Sequence, residues 1–200
     1  MSGSSSEVRY AEIAHETAHA RVQVVLDLDG GTRRDLTTGI GTLDHLLTQW
    51  AFFAGFDLGI SCEGNLHLDD QQTVEAIGTA LGAALCLALT DTGPIERLGS
   101  AHGVTEDACV MVATDLIGNG ALGYQVSIKR ERLGLLAAES IEVFLLAFAR
   151  AAKISLHVQQ IAGENGHHIA EAIFKGLGQA MAKATHRNEH HRLSRRGKEN

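Results

Sequence analysis

Two hundred residues, 44% hydrophobic and 20% charged, suit a globular protein of one or two small domains with a buried core. A formal net charge of −7 carries no footprint for nucleic acid, and no apolar run is long enough to span a membrane, so neither partner is expected. Cys62, Cys86 and Cys109 form an odd set with no CxxC pair, which argues against a disulfide framework or a cysteine zinc site and for free thiols in a reducing compartment.

In chain order, residues 1–8 are small and polar and are expected to be a disordered N-terminus. The opening MSGSSSEVRY has no apolar h-region, so the chain reads as cytoplasmic. The alternating valines of 21–29 predict a strand, ended by Gly30-Gly31. Residues 38–50 predict a helix with Thr42 as a candidate cap, and Asp44 is placed to orient the neighbouring His45 ring. A strand is expected over 56–62, then a Gly64-Asn65 turn and an extended Leu66-His67-Leu68. Apolar residues at Val74, Ile77, Leu81, Leu85 and Ala88 predict a helix over 72–89. The second half predicts strands at 108–116 and 122–128, a helix at 138–152, a strand at 154–161, a loop at 163–166 and a helix at 168–185. With aromatics at 4%, the core is expected to be aliphatic.

The halves resemble one another. Glu75-Ala76-Ile77, Leu81-Gly82 and Ala84 reappear 96 residues later as Glu171-Ala172-Ile173, Leu177-Gly178 and Ala180. The expected fold class is therefore α+β: two half-repeats, 9–98 and 99–186, each pairing a mostly antiparallel sheet with two helices, followed by a basic C-terminal tail from 187 to 200.

Eleven histidines are many for this length, and they cluster. His167-His168-Ile169-Ala170-Glu171 opens the last long helix, where positions i, i+3 and i+4 share a face. Glu171 therefore stacks with both imidazoles, a donor set that suits Mn, Fe or Zn better than Ca or Mg. The residues alone leave a polar helix cap open as the alternative for this pair, a half-buried strand histidine for His157, and a helix-surface histidine for His45. His190-His191 in the tail reads as solvated, and the nearby arginines are placed either to hold phosphate or to form a flexible basic tail.

In order and with suitable spacing across residues 10–197, the segments GIGTLDHLL, GNLHLDDQQTVEAIGTALG, PIERLGSA, SLHV and GENGHHIAEAIFK resemble the imidazoleglycerol-phosphate dehydratase family. The resemblance implies a duplicated half-barrel, of the ribosomal protein S5 domain 2-like class. It implies a hydro-lyase of histidine biosynthesis that removes water from imidazole glycerol phosphate, a small phosphorylated imidazole, at a Mn2+ site. It implies one or two Mn2+ per chain and a homo-oligomer of trimers assembling to a 24-mer. Carried onto matching positions, His45, Glu75, His157, His167, His168 and Glu171 are the implied metal ligands. Arg97, Lys175, Ser194 and Arg196 are the implied substrate and phosphate contacts, and His19, Glu106 and Glu171 the implied catalytic groups.

The chain departs from that pattern at several of these places. Gln71-Gln72 stand where the family carries its first histidine pair, and an amide is a weak ligand beside an imidazole. His19-Ala20 stand for Glu-Thr, Glu106-Asp107 reverse an Asp-Glu pair, Asn119 replaces a phosphate-binding arginine, and Ser194-Arg195-Arg196-Gly197 replace Ser-Thr-Lys-Gly. Three functions therefore stay open: a working dehydratase with an altered metal site, a catalytically impaired or non-catalytic structural or regulatory subunit of the same family, and a related lyase or metal-binding protein acting on another small substrate.

Overall fold

The computed structural model describes residues 8–66, 70–90 and 92–188. Its elements run β1 (Tyr10–Glu16), β2 (Ala20–Asp27), β3 (Arg34–Thr37), α1 (Gly41–Ala54), β4 (Asp57–Gly64), α2 (Gln71–Ala88), β5 (Leu98–Val104), β6 (Cys109–Asp115), β7 (Ala121–Gln125), β8 (Arg132–Leu133), β9 (Leu136–Ala137), α3 (Ala138–Ala152), β10 (Ser155–Ala162) and α4 (Gly166–Ala184). The expected start of the tail, Arg187, makes an isolated bridge with Ile95. The expected N-terminal disorder, save residue 8, the extended pair His67-Leu68 and the tail beyond 188 lie outside the described residues.

Two four-stranded sheets repeat one topology, β1-β2-β4-β3 and β5-β6-β10-β7. In each, two pairings are antiparallel and the last is parallel. Alternation builds them: Val22, Val24 and Leu26 turn inward from β2, and Val110 and Val112 from β6. The register measures the duplication. Tyr10 faces Asp27 as Leu98 faces Asp115, a displacement of 88 residues. Val24 faces Ile60 as Val112 faces Val158, so the displacement has grown by β4. The difference is the β8–β9 hairpin, which the second half inserts between β7 and α3.

Each long helix packs on its own sheet but pairs with a helix of the other half: α2 with α3, and α4 with α1. Glycines permit this close approach. A Cβ on Gly82 would fall 2.4 Å from the Phe148 carbonyl oxygen, and one on Gly178 would fall 2.5 Å from that of Trp50. The same fit joins β5 to α4, where Cβ atoms on Gly99 and Gly103 would strike the Ala180 and Ala172 carbonyls. The buried apolar residues form one continuous cluster through both halves. That core is aliphatic at its sheets, but the scarce aromatics gather on the helices. Trp50 meets Phe56 and Phe148 edge-on, and Phe144 contacts both Phe148 and Phe174.

Thr42 does not cap α1. The cap position is Ile40, without a side-chain bond, and the Thr42 hydroxyl instead donates to the Leu133 carbonyl of the inserted hairpin at 2.8 Å. Asp44 does not orient the His45 ring either: its Oδ1 accepts from the Thr38 backbone N–H at 3.0 Å and the Thr38 hydroxyl at 2.5 Å, which fixes the entry into α1.

Candidate metal centre at the seam of the two halves

The α1–α4 pairing places His45, one turn into α1, against the first two turns of α4. Asn165 caps α4 by accepting the His167 N–H at 3.0 Å, which sets the start of the helix and the direction of the residues that follow. Glu171 Oε1 then lies 2.9 Å from His45 Nε2 and 3.2 Å from His167 Nε2. The two imidazoles stack at 5.9 Å between centroids and 11° between planes. Lys175, one turn further along α4, donates to Glu171 Oε2 at 2.8 Å. One carboxylate oxygen is thus occupied by the lysine and the other is shared between the rings. Burial pushes the Glu171 pKa up, but Lys175 and His45 outweigh it and hold it down at about 2, so the group is an anion at neutral pH.

The ligand atoms of His45, His167 and Glu171 all lie within 4.8 Å of one another. Two neutral nitrogens and one carboxylate oxygen, converging from two rigid helices, fit a borderline transition metal such as Mn, Fe or Zn. The ring faces stay accessible, with His45 and His167 side chains 43% and 48% exposed against 17% for Glu171. A cation here would keep open positions for a further ligand.

The corresponding seam between α2 and α3 is furnished differently. Trp50 and Phe148 receive Gly178 and Gly82 in the same way, so the place matching His45, five residues earlier on α3, is Val143. On α2, Gln71 and Glu75 match His167 and Glu171, and Thr79 matches Lys175. Of the three ligating groups at the first seam, only the carboxylate has a counterpart. This donor set does not fit a tightly held transition metal.

The profile of the imidazoleglycerol-phosphate dehydratase family matches residues 38–181. An imidazoleglycerol-phosphate dehydratase of Cereibacter sphaeroides is 44% identical over 177 residues, covering 88% of this chain and 91% of its own. The chain belongs to the imidazoleglycerol-phosphate dehydratase family. The Desulforudis audaxviator dehydratase is 42% identical over 181 residues, covering 90% of this chain and 92% of its own. Among solved structures, the dehydratase of Staphylococcus aureus superposes with a TM-score of 0.81 at 27% identity, covering 90% of this chain and 99% of its own. The Pyrococcus furiosus enzyme, solved in complex with (S)-C348, gives a TM-score of 0.78 at 33% identity and covers 88% and 95%.

Within this dehydratase-family chain, the other expected site residues stand outside the triad. His168 is nearest, its ring centroid 6.5 Å from that of His167, with its Nδ1 2.5 Å from Asp107 Oδ1. His157 sits on the exposed face of β10, packed over Gly123 of β7. Glu75 is exposed on α2. His19 lies exposed in the β1–β2 turn and Glu106 in the β5–β6 turn. Arg97 grips Asp115 through two bonds of 2.7 and 2.8 Å. Its backbone N–H donates to the Ala184 carbonyl, nine residues beyond Lys175, so roughly 13 Å of helix axis separates the Arg97 backbone from the level of Lys175. Ser194 and Arg196 lie outside the described residues.

From the sequence, Asp107 was visible only as half of the reversed Glu106-Asp107 pair, with no role of its own. Its Oδ2 accepts backbone N–H bonds from Glu164 and Asn165 at 2.9 and 3.1 Å, and its Oδ1 meets His168. The two backbone donors, then His168, hold its pKa far below the usual carboxylate range. The available signal was a second repeat, Thr17-Ala18-His19-Ala20 against Thr105-Glu106-Asp107-Ala108, at the 88-residue displacement rather than at 96.

Proposed function

We propose that this chain is a hydro-lyase that removes water from imidazole glycerol phosphate to give imidazole acetol phosphate, in histidine biosynthesis. The observation that carries the reading is the convergence of His45, His167 and Glu171 on one point in a chain of this family. The reaction takes a proton and a hydroxide from adjacent glycerol carbons, leaving an enol that becomes the ketone. His45, His167 and Glu171 would hold a metal at this seam, and we assign Mn2+, one or two per chain, with His168, His157 and Glu75 as further ligands. When bound, it supplies Lewis acidity and a fixed template for the substrate's imidazole.

The chain's own residues do the rest. Lys175 holds Glu171 by Oε2, keeping Oε1 aimed between the rings, and is assigned to the phosphate by the family resemblance. Glu106 and His19, on the turns beside the helix starts, are candidates for moving the proton, and Glu171 remains a candidate beside them. Arg97, Ser194 and Arg196 are assigned to the phosphate. Because Arg97, His157 and Glu75 stand away from the triad, we infer a homo-oligomer, trimers building a 24-mer, in which faces of different copies complete a site. A cytosolic location is supported by three free cysteines, one of which, Cys62, is pushed up to about 11 by burial and so stays a thiol. Among the described residues, no helix is long and apolar enough to cross a membrane.

Gln71 and Gln72 favour a second reading, a family member whose catalysis is impaired and which acts as a structural or regulatory subunit. The deciding test is formation of imidazole acetol phosphate by the purified chain with Mn2+. Turnover that disappears in Glu171→Ala supports the lyase. Turnover that emerges only in the Gln71→His/Gln72→His double variant supports the impaired subunit.

A further inference from the structure

We propose that Asp107 is a positioning residue that fixes the His168 ring in the Nδ1–H tautomer and thereby presents its Nε2 lone pair outward as a metal ligand. This rests on the reading of the chain as a metal-dependent family member. A carboxylate only accepts, so the ring nitrogen 2.5 Å from Asp107 Oδ1 must be the one that carries hydrogen. In the neutral ring the unprotonated nitrogen is then Nε2, the form in which imidazole ligates. The carboxylate has no freedom to turn away. Its other oxygen is held by the Glu164 and Asn165 N–H groups, immediately before α4. The same β5–β6 turn is anchored to the helix a second time, through the Thr105 hydroxyl donating to the His168 carbonyl at 3.2 Å.

The molecule contains its own control. The β1–β2 turn has the same geometry: Thr17 N donates to the Ala20 carbonyl at 2.9 Å as Thr105 N does to Ala108. The place of Asp107 in that turn is His19, and the place of His168 on α2 is Gln72. The first half thus has neither the imidazole nor the carboxylate that would orient it. In the first half the turn is tied down by backbone instead, with Asn65 N–H donating to the His19 carbonyl at 3.1 Å.

The test uses Asp107→Asn in the full-length protein. Asparagine keeps an oxygen for the backbone donors but offers an N–H to His168 Nδ1, which forces the proton onto Nε2. Nitrogen-15 shifts of labelled histidine, with His168 identified through His168→Gln, are expected to report Nδ1–H in the wild type and Nε2–H in Asp107→Asn. Affinity for Co2+, followed by its visible absorption, is expected to fall about 10- to 100-fold in Asp107→Asn. It should not fall further when the same change is made in His168→Gln. An Nε2–H tautomer in the wild type overturns the proposal, as does an equal loss of affinity in both backgrounds or no loss in either. A wild-type chain with the Nδ1–H tautomer and no affinity for Co2+ overturns it through the metal reading instead, so the two failures are told apart.

Discussion

At the residue scale, much of the chemistry turns on carboxylates whose partners are fixed by the fold. Glu171 is shared among two imidazoles and a lysine, so Glu171→Gln should weaken metal binding at least as much as the 10- to 100-fold loss typical of indirect partners, measured by competition with a chelator. Three other aspartates tune stability. Asp29 is lowered chiefly by Arg9, and Asp115 by Arg97. Asp57 is lowered chiefly by the Arg33 and Gly31 backbone N–H groups, which its Oδ1 accepts at 2.8 and 2.6 Å together with that of Thr32. A depressed folded pKa means that the unfolded chain binds the proton first. Their contribution is complete above the unfolded value of about 3.9 and is lost as pH falls through the lower folded values. Melting temperature should therefore be insensitive to these groups above about pH 5 and fall steeply below pH 4, with the fall blunted in Asp57→Asn. His167 and Glu171 were legible because their residue types and helical spacing already imply ligation, whereas His45 was legible only through the family resemblance. Asp107 was not, because its meaning comes from a turn and a helix brought together across 61 residues of chain.

At the element scale, helices and inner strands followed from periodicity, and α3 occupies the very span its pattern predicts. The strands that escaped notice did so for different physical reasons. β5 reads LGSAHGV, and its inward positions are Gly99, Ala101 and Gly103, small because α4 backbone lies directly against them rather than because the segment is a loop. Hydrophobic alternation cannot report a strand whose buried face must be nearly empty. β1 is an edge strand with polar outward residues, and β3 has four residues, too few for a pattern to form. Gly103→Ala should destabilise by at least about 1–3 kcal/mol in denaturant unfolding, since its Cβ would overlap the Ala172 carbonyl. The two helix ends offer the opposite case. Gly55 ends α1 at φ 73°, and Lys153 ends α3 at φ 57°, the same left-handed position without glycine's freedom. Lys153→Gly should stabilise the protein by about 0.5–1 kcal/mol, read as a rise in denaturation midpoint without a change in slope.

At the scale of the whole molecule, duplication was visible in the α2 and α4 motifs, but the way the copies interlock was not. Nothing in either half's sequence says that α1 must pair with α4 and α2 with α3, because that choice is made by glycine-to-carbonyl contacts between distant segments. The consequence is a single core, so fragments 8–90 and 92–188 expressed separately should show no cooperative melting. The same exchange of helices builds the candidate centre, since His45 comes from one half and Glu171 from the other. At the opposite seam the positions that match the triad and Lys175 are Val143, Gln71, Glu75 and Thr79, with one carboxylate among the four. The account therefore stands on one furnished seam. The most direct measurement is the rate of imidazole acetol phosphate formation as Mn2+ is returned to metal-stripped, full-length protein. The rate should climb from none to a plateau within two equivalents per chain and stay at zero in Glu171→Ala. No turnover at any Mn2+ concentration, or undiminished turnover in Glu171→Ala, would contradict it.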